Sequence, residues 1–242
     1  MRTIRIYQPG HYAVGDLIEL SETASQHVGV VLRMQPDDKL TLFCGDNREF
    51  SATITRAHKK KVMVTITAVQ QVNRESPRGI HLAQAISKGD RMEWVIQKAV
   101  ELGATSITPL LTTHCVVRLD ATRLAKKQAQ WQAIAIAACE QSGRNQLPMV
   151  HPACSLNDYL QACDATIKLV LDPYVAKTWR DYTFATSDIA LLIGPEGGLS
   201  DDEVSLAQAQ GFHSLCLGPR VLRTETAAIA ALSVLQSIAG DI

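Results

Sequence analysis

Two glycine-bearing stretches near the C-terminus constrain this chain more than anything else in it. The first reads Gly194-Pro195-Glu196-Gly197-Gly198-Leu199-Ser200, the second Leu217-Gly218-Pro219-Arg220-Val221-Leu222-Arg223-Thr224-Glu225-Thr226-Ala227. Each follows an apolar run that reads as buried strand, Ile189-Ala190-Leu191-Leu192-Ile193 and Leu215-Cys216-Leu217, and each leads into a helical pattern. Strand, tight turn and helix predict an open α/β sheet, which places its ligands outside the carboxyl ends of the strands. Glycine there admits positive φ and a close approach of backbone to ligand. One such turn would be an ordinary connection. Two, carrying Glu196, Arg220, Arg223 and Glu225, point to a ligand site.

Composition narrows the classes. A chain of 242 residues, 46% of them hydrophobic, can bury one large core or two small ones. No apolar run reaches the ~18 residues of a membrane helix. A long uncharged stretch, residues 226–240, is Ala-rich and reads as a buried helix or half of an oligomer interface. Residues 1–5 lack the apolar segment of a signal peptide, so a cytoplasmic protein is expected. Cysteines stand at 44, 115, 139, 154, 163 and 216, with no CxxC pair and no adjacent His cluster, so no metal is expected. The balance of 24 Lys+Arg against 24 Asp+Glu argues against a generic polyanion binder; RNA would meet a local patch. No GxGxxG follows a strand, and neither GxxxxGK[ST] nor GxSxG occurs.

Two domains are expected, at 1–72 and 73–242. The first reads as strands at 17–20, 39–43, 50–55 and 61–69, with a helix over 21–34. In the last strand Val62, Val64, Ile66 and Ala68 share one face. Gly45-Asp46-Asn47 is a hairpin signal, and a small closed β-barrel with one helix fits. His58-Lys59-Lys60-Lys61 reads as a solvated basic turn. Polar residues 72–79 are the linker. Beyond it strands and helices alternate: strands at 80–86, 106–111, 167–171, 189–193 and 215–217, and helices capped by Asp90, Asp120 and Ser200, with capping boxes expected at Asp90/Glu93 and Ser200/Glu203. Apolar strands alternating with helices mean a parallel sheet covered on both faces.

The two C-terminal stretches, together with Ser87-Lys88-Gly89-Asp90-Arg91-Met92-Glu93-Trp94, Gln97-Lys98-Ala99-Val100-Glu101-Leu102-Gly103 and Glu140-Gln141-Ser142-Gly143-Arg144, resemble the RsmE family, the 16S ribosomal RNA uridine N3-methyltransferases of the knotted SPOUT class. The resemblance spans nearly the whole chain. It implies a PUA-like RNA-binding β-barrel first, then a SPOUT domain with a C-terminal trefoil knot, a homodimer with an active site completed across subunits, and S-adenosylmethionine as cofactor. Carried over, the cofactor loops are Leu171-Asp172-Pro173, residues 194–198 and residues 217–227. The cofactor residues are then Leu171, Gly194, Glu196, Gly198, Leu217, Gly218, Leu222, Arg223, Thr224, Thr226 and Ala227. Arg5, His27 and Arg33 match family RNA positions, and Lys88 and Arg91 are further cations for RNA.

The chemistry suits these residues. Adenine needs an apolar slot, which Leu171, Leu217 and Leu222 supply. A sulfonium favours an acid nearby, Glu196 or Glu225, although Glu225 also suits the first turn of a helix for its own sake. Methylation of uridine N3 passes through an imide anion that an arginine can stabilise: Arg223 first, Arg144 second, with Glu140 a candidate base. Arg144 equally fits a helix C-terminus. Two alternatives stay open: ribose 2′-O methylation of rRNA or tRNA on the same fold, and a non-catalytic RNA-binding factor.

Overall fold

The computed structural model describes residues 4–58, 60–116, 119–184 and 188–242. The chain divides into two compact units. One takes the described residues up to Glu75 together with Cys139–Leu147; the other takes Ser76–Ala138 and Pro148–Ile242.

The first unit is a five-stranded sheet with one short helix. Its elements are β1 (Ile4–Tyr7), β2 (Leu17–Glu19), α1 (Glu22–Gln26), β3 (Lys39–Phe43), β4 (Arg48–His58) and β5 (Lys61–Gln71). The order is β1-β3-β4-β5-β2, with β1 and β3 parallel and the other pairs antiparallel. Val62, Val64 and Ile66 are buried, as their alternation predicts, and join Ile6, Leu40, Leu42, Phe50, Ile54 and Val28 in one core. All five strands feed this core, so the sheet curls around it. Register shifts in β4 at Ser51/Ala52 and Ile54/Arg56 add the local twist such curling needs. Sequence reasoning missed β1, a four-residue strand with a single buried side chain.

The expected helix over 21–34 is shorter and changes pitch. Ser21 caps α1 by accepting from the Ala24 amide, and the helix widens to a π turn over His27–Val31. Ser25 explains the seating: its hydroxyl donates to the Leu20 carbonyl at 3.1 Å and accepts from the Val62 amide at 3.1 Å, fixing the helix to β5. The path then breaks at Arg33, whose φ is +54°.

The second unit is a seven-stranded, all-parallel sheet: β6 (Ile80–Ala85), β7 (Ser106–Leu111), β8 (Met149–Val150), β9 (Cys154–Ser155), β10 (Ile167–Leu171), β11 (Ile189–Ile193) and β12 (His213–Leu215). The order is β12-β10-β11-β6-β7-β8, with β9 also on β7. Its helices are α2 (Arg91–Glu101), α3 (Ala121–Ser142), α4 (Leu156–Ala162), α5 (Asp201–Ala209) and α6 (Thr224–Ala239); α3 enters the first unit at Cys139. Every residue of β11 is buried, as a central parallel strand requires. Trp131 and Ala138 of α3 are buried, Leu124 and Ile134 half-buried.

The capping box at Ser200/Glu203 forms in full. The one expected at Asp90/Glu93 does not: Asp90 makes no side-chain cap. Glu93 turns instead to α3, accepting from Gln130 Nε2 at 2.7 Å and Lys127 Nζ at 3.3 Å. Two side-chain donors from a packed neighbour outcompete one backbone amide. Among the described residues no helix is long and apolar enough to cross a membrane, and no group of three His, Cys, Asp or Glu could hold a metal.

Candidate active site

Strands β12, β10 and β11 are neighbours, so the segments leaving their carboxyl ends emerge side by side. Next to β11 lies β6, which delivers Lys88 and the start of α2 to the same edge. Between these segments lies a cavity of about 670 Å³. It is lined by Leu171, Gly194, Glu196, Gly198, Leu217, Gly218, Leu222, Arg223, Thr224 and Ala227 of the expected cofactor residues, and by Arg91. Thr226 is exposed on α6 and does not line it.

Backbone and side chain fasten the three segments together. The Cys216 amide donates to the Lys177 carbonyl at 2.8 Å, and the Asp172 amide to the Leu215 carbonyl at 3.0 Å. Thr224 Oγ1 donates to the Gly194 carbonyl at 2.6 Å and accepts from Gln84 Nε2 at 2.9 Å. Gln84 is fully buried in the apolar strand β6. Sequence reasoning missed it, although one amide within Ile80-His81-Leu82-Ala83-Gln84-Ala85-Ile86 was the visible signal.

The glycines divide by role. At Gly194 a Cβ would stand 3.0 Å from the Leu199 amide nitrogen, so this glycine lets its own turn close. Gly218 has φ +143° and nothing within 4 Å of a built Cβ. Like Gly198, which has φ +74° and equally open space, it keeps the cavity wall free of side chain in a backbone region that L residues avoid.

The cavity has an apolar part, supplied by Leu171, Pro173, Leu217 and Leu222, and a charged cluster, supplied by Arg91, Glu196 and Glu225. Glu196 Oε1 accepts from the Lys88 amide at 2.9 Å and from Arg91 Nη1 at 2.7 Å. Desolvation pushes the Glu196 carboxyl up, but these donors outweigh it and hold it below the ordinary carboxylate value. Arg91 Nε lies 3.7 Å from Glu225 Oε1. Glu225 Oε2 is buried with no hydrogen-bond partner among the described residues. Arg223 is exposed at the cavity, at the N-cap position of α6 but without a capping bond.

Of the other expected residues, Arg5, His27, Arg33, Glu140 and Arg144 lie in the first unit and Lys88 in the second. The Arg144 side chain is 6% exposed and ion-pairs with Glu75, Nε donating to Oε1 at 3.1 Å. Arg5 donates to Glu49 Oε1 at 2.5 Å, Asn145 Oδ1 at 2.6 Å and the Arg144 carbonyl at 3.2 Å. Glu140 Oε1 accepts from the Tyr7 amide at 2.9 Å, while burial raises its carboxyl above the ordinary value. Arg5 and Arg144 thus share one partly buried polar network of the first unit, and Glu140 is held to β1 through Tyr7. Arg33 and Lys88 are exposed and His27 half-buried. Lys61 pairs with Glu19 at 2.7 Å, and Lys59 lies outside the described residues.

A glycine-walled cavity at the carboxyl edge of a parallel sheet is the ligand site of an open α/β protein. The family model for an RNA methyltransferase domain matches residues 74–236, and one for an RNA methyltransferase PUA domain matches residues 20–67. Ribosomal RNA small subunit methyltransferase E of Buchnera aphidicola (subsp. Schizaphis graminum) is 37% identical over 242 residues, 100% of this chain and 98% of that one. The same-named protein of Neisseria gonorrhoeae, solved bound to S-adenosyl methionine, is 37% identical with TM-score 0.93, covering 100% of both chains. A Legionella pneumophila protein solved with bound cofactor SAM is 58% identical with TM-score 0.98, again covering 100% of both. The chain belongs to the ribosomal RNA small subunit methyltransferase E family.

Proposed function

We propose that this protein methylates N3 of a uridine in 16S rRNA, using S-adenosylmethionine. The observation that carries the reading is the cavity itself: apolar on one part, charged on another, and open at Gly218. When bound, the cofactor supplies an electrophilic methyl group on a sulfonium. Leu171, Leu217 and Leu222 would hold its adenine, with the backbone of Gly194, Gly198 and Gly218 lining the same cavity. Glu196 of the charged cluster favours the cationic sulfur. Arg223, an exposed guanidinium at the cavity, stabilises charge developing on the uridine carbonyl oxygens. Bonds from residues 177–178 to Cys216 support a trefoil crossing of the C-terminal segment.

The PUA-like domain binds RNA in this reading. Arg33, His27, Lys88 and Arg91 meet it directly. Arg5, Arg144 and Glu140 serve it by bracing the surface through Glu49, Glu75 and Tyr7. A cytoplasmic homodimer acting on the small ribosomal subunit completes the proposal; the incompletely covered α6, with Ile238 36% exposed, supports the dimer. The test is incubation of the purified protein with small subunits and methyl-labelled cofactor. Label in 16S rRNA is expected. Calorimetry showing no cofactor binding by the folded protein would leave only an RNA-binding factor.

A further inference from the structure

Removing the N3 proton of uridine needs an acceptor, and Glu225 is distinguished among the cavity acids by what it lacks. Glu196 is satisfied by the Lys88 amide and Arg91. Asp201 lies in the first turn of α5, where the helix dipole accounts for it. Glu225 also opens a helix, but the dipole does not account for a buried Oε2 without a donor. Such an oxygen is destabilising while it stays unpaired. Its residue lines the cavity, and its side chain is only 16% exposed.

We propose that Glu225 is the general base of the reaction, its Oε2 taking the N3 proton. This rests on the methyltransferase reading above. In the step, the N3–H bond breaks and its proton passes to Oε2. The N3 electron pair forms the new bond to the methyl carbon, the S–C bond breaks, and its electrons return to sulfur as a neutral thioether. Glu225 then gives its proton to water, so one proton is released per methyl transferred. Arg91 is the positioning residue. Fixed to Glu196 at 2.7 Å, it faces Oε1 of Glu225 at 3.7 Å, while Oε2 has no donor among the described residues. The other charged groups of the cavity are Arg220 and Arg223 from the segment before α6, Asp172 after β10, and Asp201 of α5.

The test compares wild type, Glu225→Gln and Glu225→Asp as full chains. Affinities for S-adenosylmethionine and S-adenosylhomocysteine come from calorimetry, and single-turnover rates of 3-methyluridine formation are taken across neutral to alkaline pH. Glu225→Gln is expected to bind both cofactor forms as wild type does, yet react about 10²–10⁴-fold slower, with a residual rate rising about tenfold per pH unit as hydroxide replaces the base. Glu225→Asp keeps the wild-type profile at reduced rate, and reports if the Gln variant does not fold. A wild-type rate and profile in Glu225→Gln would overturn the proposal. So would selective loss of S-adenosylmethionine over S-adenosylhomocysteine, which would make Glu225 the sulfonium's counter-ion. Both outcomes leave the proposed function standing; wild type forming no 3-methyluridine would remove that function and this inference together.

Discussion

Replacing Arg144 by Ala separates bracing from chemistry. The Arg144 and Glu75 side chains are 6% and 12% exposed, and Nε and Nη2 both donate to the Glu75 carboxylate. Truncation leaves that carboxylate buried without its cation, which in comparable pairs costs about 3–5 kcal/mol. For a chain of this length each kcal/mol shifts Tm by about 2–4 °C, so a fall of roughly 6–20 °C is expected. Differential scanning calorimetry measures it, and cofactor titration of the folded variant should match wild type. Arg144→Met with Glu75→Leu, which removes both charges, should recover much of the loss. A variant with unchanged Tm that binds RNA and cofactor but forms no product would refute the bracing role and return Arg144 to the chemistry.

Gly218→Val should abolish cofactor binding in calorimetry with a modest loss of stability, whereas Gly194→Val should chiefly lower Tm, because its Cβ meets the Leu199 amide; equal effects would remove the division of roles. Arg33→Ala should flatten the salt dependence of RNA binding by about 0.7 in log–log slope, while Arg5→Ala should act mainly on Tm; the reverse pattern would place the phosphate contact at Arg5. His81 is held neutral, first by burial and then by His151, its pKa lowered to about 4 from 6.5. The depressed value means stability is full above the unfolded pKa and falls as pH drops from about 6.5 to about 4, by on the order of 3 kcal/mol. Urea melts across that window should show it, and His81→Gln should flatten it; an unchanged slope would assign the acid sensitivity elsewhere.

Most of the α/β unit was legible because its strands are continuous apolar runs: residues 106–111, 167–171 and 189–193 form strands at those bounds. The Ser200 box was legible for a local reason, two side chains three residues apart. What failed was decided by tertiary partners. Glu93 left its box for α3, and the helix after Ser21 changed pitch where Ser25 binds β5. The cavity wall was legible in its glycines, but which of them faces open space was not: Gly194 and Gly218 look alike until Leu199 is seen against one of them. The double pairing of Arg91 joins residues far apart in sequence and left no local signal.

The reading of this protein as a uridine N3-methyltransferase is tested most directly by nucleoside mass spectrometry of 16S rRNA from cells with and without the gene. We expect 3-methyluridine at one site to disappear on deletion and to return on incubating the deficient subunits with purified protein and S-adenosylmethionine. Loss of 2′-O-methyluridine instead, with 3-methyluridine unchanged, would contradict the assignment of the acceptor atom.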